Sequence, residues 1–300
     1  MFPISSRSKA MIFMLCGSTL ISSTGLIIRN MEIAGALEIN LFRGISLGLT
    51  ILLILGIKHK RQTFTKIVAI GKPGLSAAFA LAAAGICFLQ AITNTTVAET
   101  LFITSCIPIL TAALAWFFLN ERLNKVTLSA ICCAAIGISL MFMGDVGSRS
   151  HYGASMALMT ASLFSSYTII IRKYRYIEML PALGLSGFLI TIFCLLTLGT
   201  NLNFTMFDLY RCILLGSLIS LIPSMIFLYS SKYLFAGELT LFMLLEFSLG
   251  PLWVWIFINE APEFWTLVGG ALIMTALTLR VWAEMKFTQT DQPKKNITSN

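Results

Sequence analysis

Glu246 is the carboxylate whose surroundings call for an explanation. It sits near the middle of FAGELTLFMLLEFSLGPLWVWIFINE, residues 235–260, a stretch apolar and long enough to cross a bilayer, for which about 20 residues suffice. A carboxylate at that depth costs about 2.5–3.5 kcal/mol on insertion scales. Its charge must therefore be met by a proton, a cationic group or donors on a neighbouring helix. Four residues on, Gly250-Pro251 interrupts the run, and Pro251 has no amide proton for the helical ladder. Two functional chemistries fit: taking up a proton, or holding the amine of a small solute. The structural alternative is a carboxylate capped by hydroxyls or an arginine of another helix.

Other polar groups inside apolar stretches form two further sets. Tyr167, Gln90, Tyr229, Ser23, Ser166 and Trp253 are expected to join Glu246 around a substrate or proton site. For the serines the alternative is local, since a hydroxyl can bond back to its own helix or let two helices approach. For the tryptophans it is the belt at the membrane interface. Arg43 and Glu38 are five residues apart, an awkward separation for one helix face, so Arg43 is expected to find its partner on another helix. Arg43, Glu38, Glu99 and Glu238 are candidates for an ion pair or a gate. Their plainer reading is packing bridges and water-facing charges.

Several chemistries are set aside. The seven cysteines lie in or beside apolar stretches without a C-x-x-C spacing, and His59 and His151 fall in separate loops. No metal site, cofactor or disulfide framework is expected from them. There is no phosphate-binding glycine loop or nucleophile elbow, which excludes ATP-driven work by this chain. An enzyme acting on lipid would need clustered histidines, aspartates or a serine–lysine set at one face, and the sequence has none. A scaffold without transport is a third class, disfavoured by Glu246 itself.

The elements that position these groups are membrane spans. The chain is 57% hydrophobic and 11% charged, where soluble proteins carry roughly 25% charge. Apolar runs fall at about 10–28, 36–57, 74–93, 96–119, 126–143, 152–171, 181–200, 210–230, 235–258 and 264–283. The expectation is an all-α polytopic membrane protein with ten transmembrane helices. The first run, behind Arg7 and Lys9, reads as a retained helix because no small-residue cleavage site follows it. Glu121 and Glu260, ending the fourth and ninth runs, are expected to cap helices or touch loops.

Of the 21 lysines and arginines, all but Arg29, Arg43, Arg149 and Arg211 fall in one alternate set of segments. By the positive-inside rule that set is cytoplasmic, with both termini. The net charge of +8 then belongs to topology and lipid headgroups, and no nucleic-acid partner is expected. The expected partners are the lipid bilayer and a small-molecule substrate, with the protein a monomer or homodimer.

The chain also repeats. LISSTGLIIR at 20–29 aligns with LFSSYTIIIR at 163–172, and the same offset of 143 sets Gly44 on Gly187 and Gly56 on Gly199. Further on, an offset of 139 sets Phe88-Leu89 on Phe227-Leu228, Gln90 on Tyr229, Glu99 on Glu238 and Asn120-Glu121 on Asn259-Glu260. Five spans per copy is an odd number, so the copies insert in opposite senses. The expected organisation is a cytoplasmic segment 1–9, a first five-helix repeat 10–143, a loop 144–151, an inverted second repeat 152–285 and a disordered cytoplasmic tail 286–300. Inverted repeats are a mark of alternating-access carriers, with the site at mid-membrane between the copies. Glu246 has Ile107 as its counterpart, and Pro251 has Ala112. The carboxylate is thus an asymmetric group on a symmetric frame.

RGISLG at 43–48, FLQAITNTTVAETLFITSCIPILTAALAWFFLNERL at 88–123, LLEFSLGPLWVWIFINE and Gly269-Gly270 together resemble the drug/metabolite transporter superfamily, in its ten-helix EamA-type members. The resemblance spans both halves. It implies a carrier in the inner membrane that moves small metabolites, amino acids or related compounds, usually outward, with proton coupling. Its cavity would lie among helices 1, 3, 4, 6, 8 and 9. Uptake or exchange of a solute such as S-adenosylmethionine is the alternative that the family offers. In much of the family proline directly follows the ninth-helix glutamate; here Phe247 does.

Overall fold

The computed structural model describes residues 6–119, 148–199, 202–234 and 236–290, with isolated positions between 129 and 140. Most of the fifth run, the start of the inter-repeat loop and the end of the tail lie outside the described residues.

The chain is helical throughout its described spans, because a backbone in hydrocarbon must satisfy its polar groups within the segment. The helices are α1 (Ser6–Ile21), α2 (Thr24–Arg29), α3 (Ala36–His59), α4 (Thr63–Ala69), α5 (Gly71–Asn94), α6 (Val97–Thr104) and α7 (Ile107–Leu119). After them come α8 (Ser148–Lys173), α9 (Leu180–Leu198), α10 (Met206–Leu214), α11 (Leu221–Ser230), α12 (Ala236–Ile258) and α13 (Phe264–Thr290). Among the described residues, seven segments are long and apolar enough to span a membrane: Lys9–Arg29, Ala36–Ala69, Gly71–Asn94, Val97–Phe118, His151–Lys173, Leu180–Leu198 and Met206–Ser230. Leu245–Ile258 and Leu267–Ala276 are apolar but shorter. The protein is therefore an all-α, polytopic membrane protein. Leu53, Ile57, Phe79, Phe117, Leu196 and Phe257 are exposed, the side chains that lipid would cover.

Three runs that hydropathy reads as continuous are modified. The first breaks at Ser22 and Ser23, whose hydroxyls donate to Thr19 O (2.7 Å) and Leu20 O (2.8 Å). The fourth breaks at Ser105–Cys106, where Thr104 and Ser105 bond back to Thr100 O (2.9 Å) and Phe102 O (2.6 Å). Such back-bonds bend helices, and Pro108 removes a ladder bond just beyond. The eighth run passes from α10 to α11 through a π-helical turn, Leu215–Ser220. By contrast α12 stays helical through Pro251.

The packing brings the halves together. α5 lies against α8, and α1 against α11. α8 contacts α6 and α7; α12 contacts α1, α2, α6 and α7. α3 packs on α9, closely enough that a Cβ on Gly44 would stand 2.8 Å from Gly187 O, and a Cβ on Gly187 2.8 Å from Gly44 O. No side chain fits at either position. The largest buried cluster, with Leu89, Ile92, Tyr167, Phe227 and Phe247, lies where these helices meet.

Candidate functional site

Glu246 stands in the middle of α12, is 9% exposed, and opens into a small cavity of about 70 Å³. The walls come from both halves: Met14 and Ser18 of α1, Leu81 of α5, Phe164 and Tyr167 of α8, and Phe227 of α11 among them. Among the described residues no hydrogen bond or ion pair reaches the Glu246 carboxylate. The nearby arginine or capping hydroxyl that a structural role requires is thus not among its contacts. Besides Glu246 the cavity wall is mostly apolar and aromatic, with the Ser18 and Ser224 hydroxyls and the Tyr167 phenol as its other polar side chains. None of them is bonded to the carboxylate, which is left to meet a proton or an entering group.

Two larger cavities, about 200 and 150 Å³, follow along the same helices. The first is lined by Thr168, Arg172 and Arg175, with Lys232, Tyr233 and Leu239. α8 supplies Tyr167 to the Glu246 cavity and Thr168 to this one; α12 supplies Met243 and Leu239. In the second, Glu178 accepts from Lys58 and lies 3.4 Å from His59 Nε2. The Lys58 hydrogen bond holds the Glu178 carboxyl below its usual range, against an opposing effect of partial burial.

The far ends of the helices carry a different network. Arg29 Nε lies 2.8 Å from Glu260 Oε2, and its Nη2 lies 3.2 Å from Oε1. The same Nη2 donates to Thr95 O at 2.5 Å, and Val97 N donates to Glu260 Oε1 at 2.9 Å. The Thr95 hydroxyl donates to Glu99, which is buried. Beside them Asp208 accepts the amides of Glu32, Ile33 and Ala34 at 2.8–3.1 Å, and Arg211 donates to Asn30 O at 2.5 Å.

Of the residues singled out from sequence, Glu246 and Tyr167 share the cavity. Ser23 and Ser166 turn their hydroxyls to Leu20 O and Ser162 O, and neither is among the cavity residues. At the end of α5 Asn94 Nδ2 donates to the Gln90 backbone carbonyl at 2.8 Å and lies 3.4 Å from Gln90 Oε1. Tyr229 is ringed by Phe13 and Tyr233 and lines the 150 Å³ cavity. Trp253 donates to Ser22 Oγ at 3.0 Å and packs on Phe257. Arg43 does not pair with Glu38 or across helices: Nη2 donates to Asn40 Oδ1 at 3.2 Å on its own helix, and Nε has no hydrogen-bond partner among the described residues. Glu99 joins the Arg29 network. Glu238 lies in α12, but its side chain is outside the described residues. Ser18, Phe164 and Phe227 were missed. Ser18 stands one turn before Ser22, and Phe227 is the repeat partner of Phe88; those were the available signals.

Residues 8–143 match the EamA-like transporter family, and they form a domain of that type. Members of that family are transporters, so the activity is movement of a solute across a membrane and not enzymic conversion. No curated protein matches the chain. Of the known structures, 28 chains match. One, described only as "Crystal structure of protein", covers 92% of this chain and 98% of its own at 14% identity, with a TM-score of 0.66. That likeness is one of fold.

Proposed function

We propose that the whole chain is an EamA-type member of the drug/metabolite transporter superfamily, a secondary carrier of a small organic metabolite such as an amino acid or a related compound. In this reading residues 10–143 and 152–285 are inverted five-helix repeats of a ten-helix fold. They alternate access to a site at Glu246, in the inner membrane with both termini cytoplasmic. Export driven by the proton gradient is the preferred direction.

The observation that carries the reading is an unpartnered carboxylate opening into a cavity whose walls belong to both halves. The frame supports it. Exchanging the halves turns the α5–α8 contact into α11–α1, turns α6 and α7 on α8 into α12 on α1, and returns α3–α9 to itself. Gly44 and Gly187, equivalent in sequence, press on one another's carbonyls. A cavity of about 70 Å³ is far below the roughly 300–1,000 Å³ of small-molecule pockets. The helices around Glu246 must therefore part before a metabolite fits, as alternating access requires.

The test is a metabolite profile, inside and outside, of cells producing the intact protein or Glu246→Gln at matched membrane levels. The expected result is a solute whose distribution shifts only with the intact protein, and the sense of the shift gives the direction. Equal redistribution by Glu246→Gln removes the carboxylate from the mechanism. No solute moving across a broad panel in reconstituted vesicles removes the carrier.

A further inference from the structure

The contacts of Arg29 and Glu260 join the ends of three chain segments at one face of the molecule. We propose that this pair is a gate latch: it holds the path shut on the Arg29 face and parts when the path opens there. The inference rests on the carrier reading above, since a latch presupposes two states.

The geometry is that of a clasp. Arg29 ends α2, Thr95 and Val97 border the hairpin between α5 and α6, and Glu260 follows α12. The guanidinium is ion-paired with both carboxylate oxygens: Nε lies 2.8 Å from Oε2 without hydrogen-bond alignment, and Nη2 donates to Oε1 at 3.2 Å and also to Thr95 O. The carboxylate in turn accepts Val97 N. One ion pair thereby pins the ends of three elements from the two halves. Two of these elements continue to the Glu246 cavity, through α1 and α12. The element carrying Arg29 has a joint: α2 is separated from α1 by the turn at Ser22 and Ser23.

Exposure decides between a latch and a permanent strut. The side chains of Arg29 and Glu260 are 25% and 22% exposed. Both charges are at the edge of water and can be solvated when they separate, so parting them is cheap compared with breaking a buried pair.

The opposite face supplies the contrast. A Cβ on Gly153, near the start of α8, would lie 2.9 Å from Thr95 Cβ, so α8 starts at the Arg29 face. Arg172, 19 residues further along the same helix, is then about 28 Å away at 1.5 Å per residue. The two larger cavities are at that end, lined by Arg172, Arg175 and Lys232. The molecule is clasped at one face and hollow at the other. Arg172 is the repeat counterpart of Arg29, and Glu121 that of Glu260, so the sequence holds the same pair of residue types for the other face.

The test uses side-specific labelling. In full-length protein with its seven native cysteines replaced, Ser18→Cys places a reporter in the Glu246 cavity. Vesicles of each orientation are treated with a membrane-impermeant thiol reagent. Arg29→Gln and Glu260→Gln are expected to raise labelling from the Arg29 face by roughly 2- to 5-fold, the population shift that loss of one partly exposed pair gives. The milder Arg29→Lys, which keeps charge but loses the two-pronged geometry, is expected to fall between and guards against misfolding of the first two. Unchanged labelling from that face in monodisperse variants overturns the latch. If the reporter thiol still labels from the opposite face, only the latch fails. If it is closed from both faces and no solute moves with the intact protein, the carrier reading falls as well.

Discussion

At Glu246 a structural and a functional carboxylate predict opposite changes in stability. A carboxylate that ties helices together leaves stranded donors when removed, at about 3–5 kcal/mol for a broken buried pair. Glu246 has no such partner among the described residues. Glu246→Gln should therefore leave thermal unfolding in detergent unchanged or raise its midpoint, while abolishing solute redistribution. A large fall in the midpoint would mark the carboxylate as structural. Glu178 gives the complementary case outside the membrane spans. Its pairing with Lys58 lowers the carboxyl from the usual 4.5, so the folded state binds the proton less readily than the unfolded state. The resulting stability is complete above 4.5 and is lost as pH falls through the lowered value. Wild type should exceed Glu178→Gln in stability at neutral pH, and the two curves should converge below about pH 4.5. A gap that widens in acid reverses the assignment. The residue scale also shows where sequence reasoning stops. Glu246 and Tyr167 were legible because charge and phenol stand out in apolar helix. Ser22 and Ser23 were legible only as a pair, since adjacent helical positions are turned about 100° apart, and the doublet does not say which hydroxyl also accepts a bond from another helix, as Ser22 does from Trp253.

Among the elements, the contact of α3 with α9 was foreshadowed by one coincidence, Gly44 aligning with Gly187. Its reason was not visible in the alignment: both positions must be bare for two backbones to meet. Gly187→Leu puts its Cβ 2.8 Å from Gly44 O and from Gly48 N, both backbone atoms that cannot swing aside. Overpacking costs about 1–3 kcal/mol, so the variant should unfold at lower temperature, and Gly187→Ala should lie between it and wild type. Equal midpoints for all three would show that the helices separate freely. The breaks in the first and fourth runs and the π turn escaped the sequence reading because hydropathy reports side chains. Shifts in backbone hydrogen bonding leave apolar composition intact. At Gly250-Pro251 the sequence pointed to a local disturbance of the ladder within one span, and α12 does continue through it; what the alignment did not show is that the glycine provides room for Leu101, 2.2 Å from where a Cβ would be.

For the molecule as a whole, the exchange-related helix pairs give a way to ask where the halves pivot. The α3–α9 contact maps onto itself, so in the inverted-repeat reading it lies at the axis relating the halves, where relative motion is least. The Arg29 network lies away from it, at a helix end. A cross-link near the axis should then be tolerated. An ideal Cβ on Gly184 of α9 stands 3.3 Å from Ile51 Cβ of α3, close to the roughly 3.5–4.5 Å between disulfide Cβ atoms. Ile51→Cys with Gly184→Cys, with the native cysteines replaced, should form a disulfide on oxidation. The oxidised protein should still move its solute at a rate near that of its reduced form. If oxidation stops transport and reduction restores it, α3 and α9 slide on one another during the cycle, and the rocking of two halves about this contact is wrong. Pivoting and sliding demand opposite results from a single bond, which makes this contact the place to decide how the molecule moves.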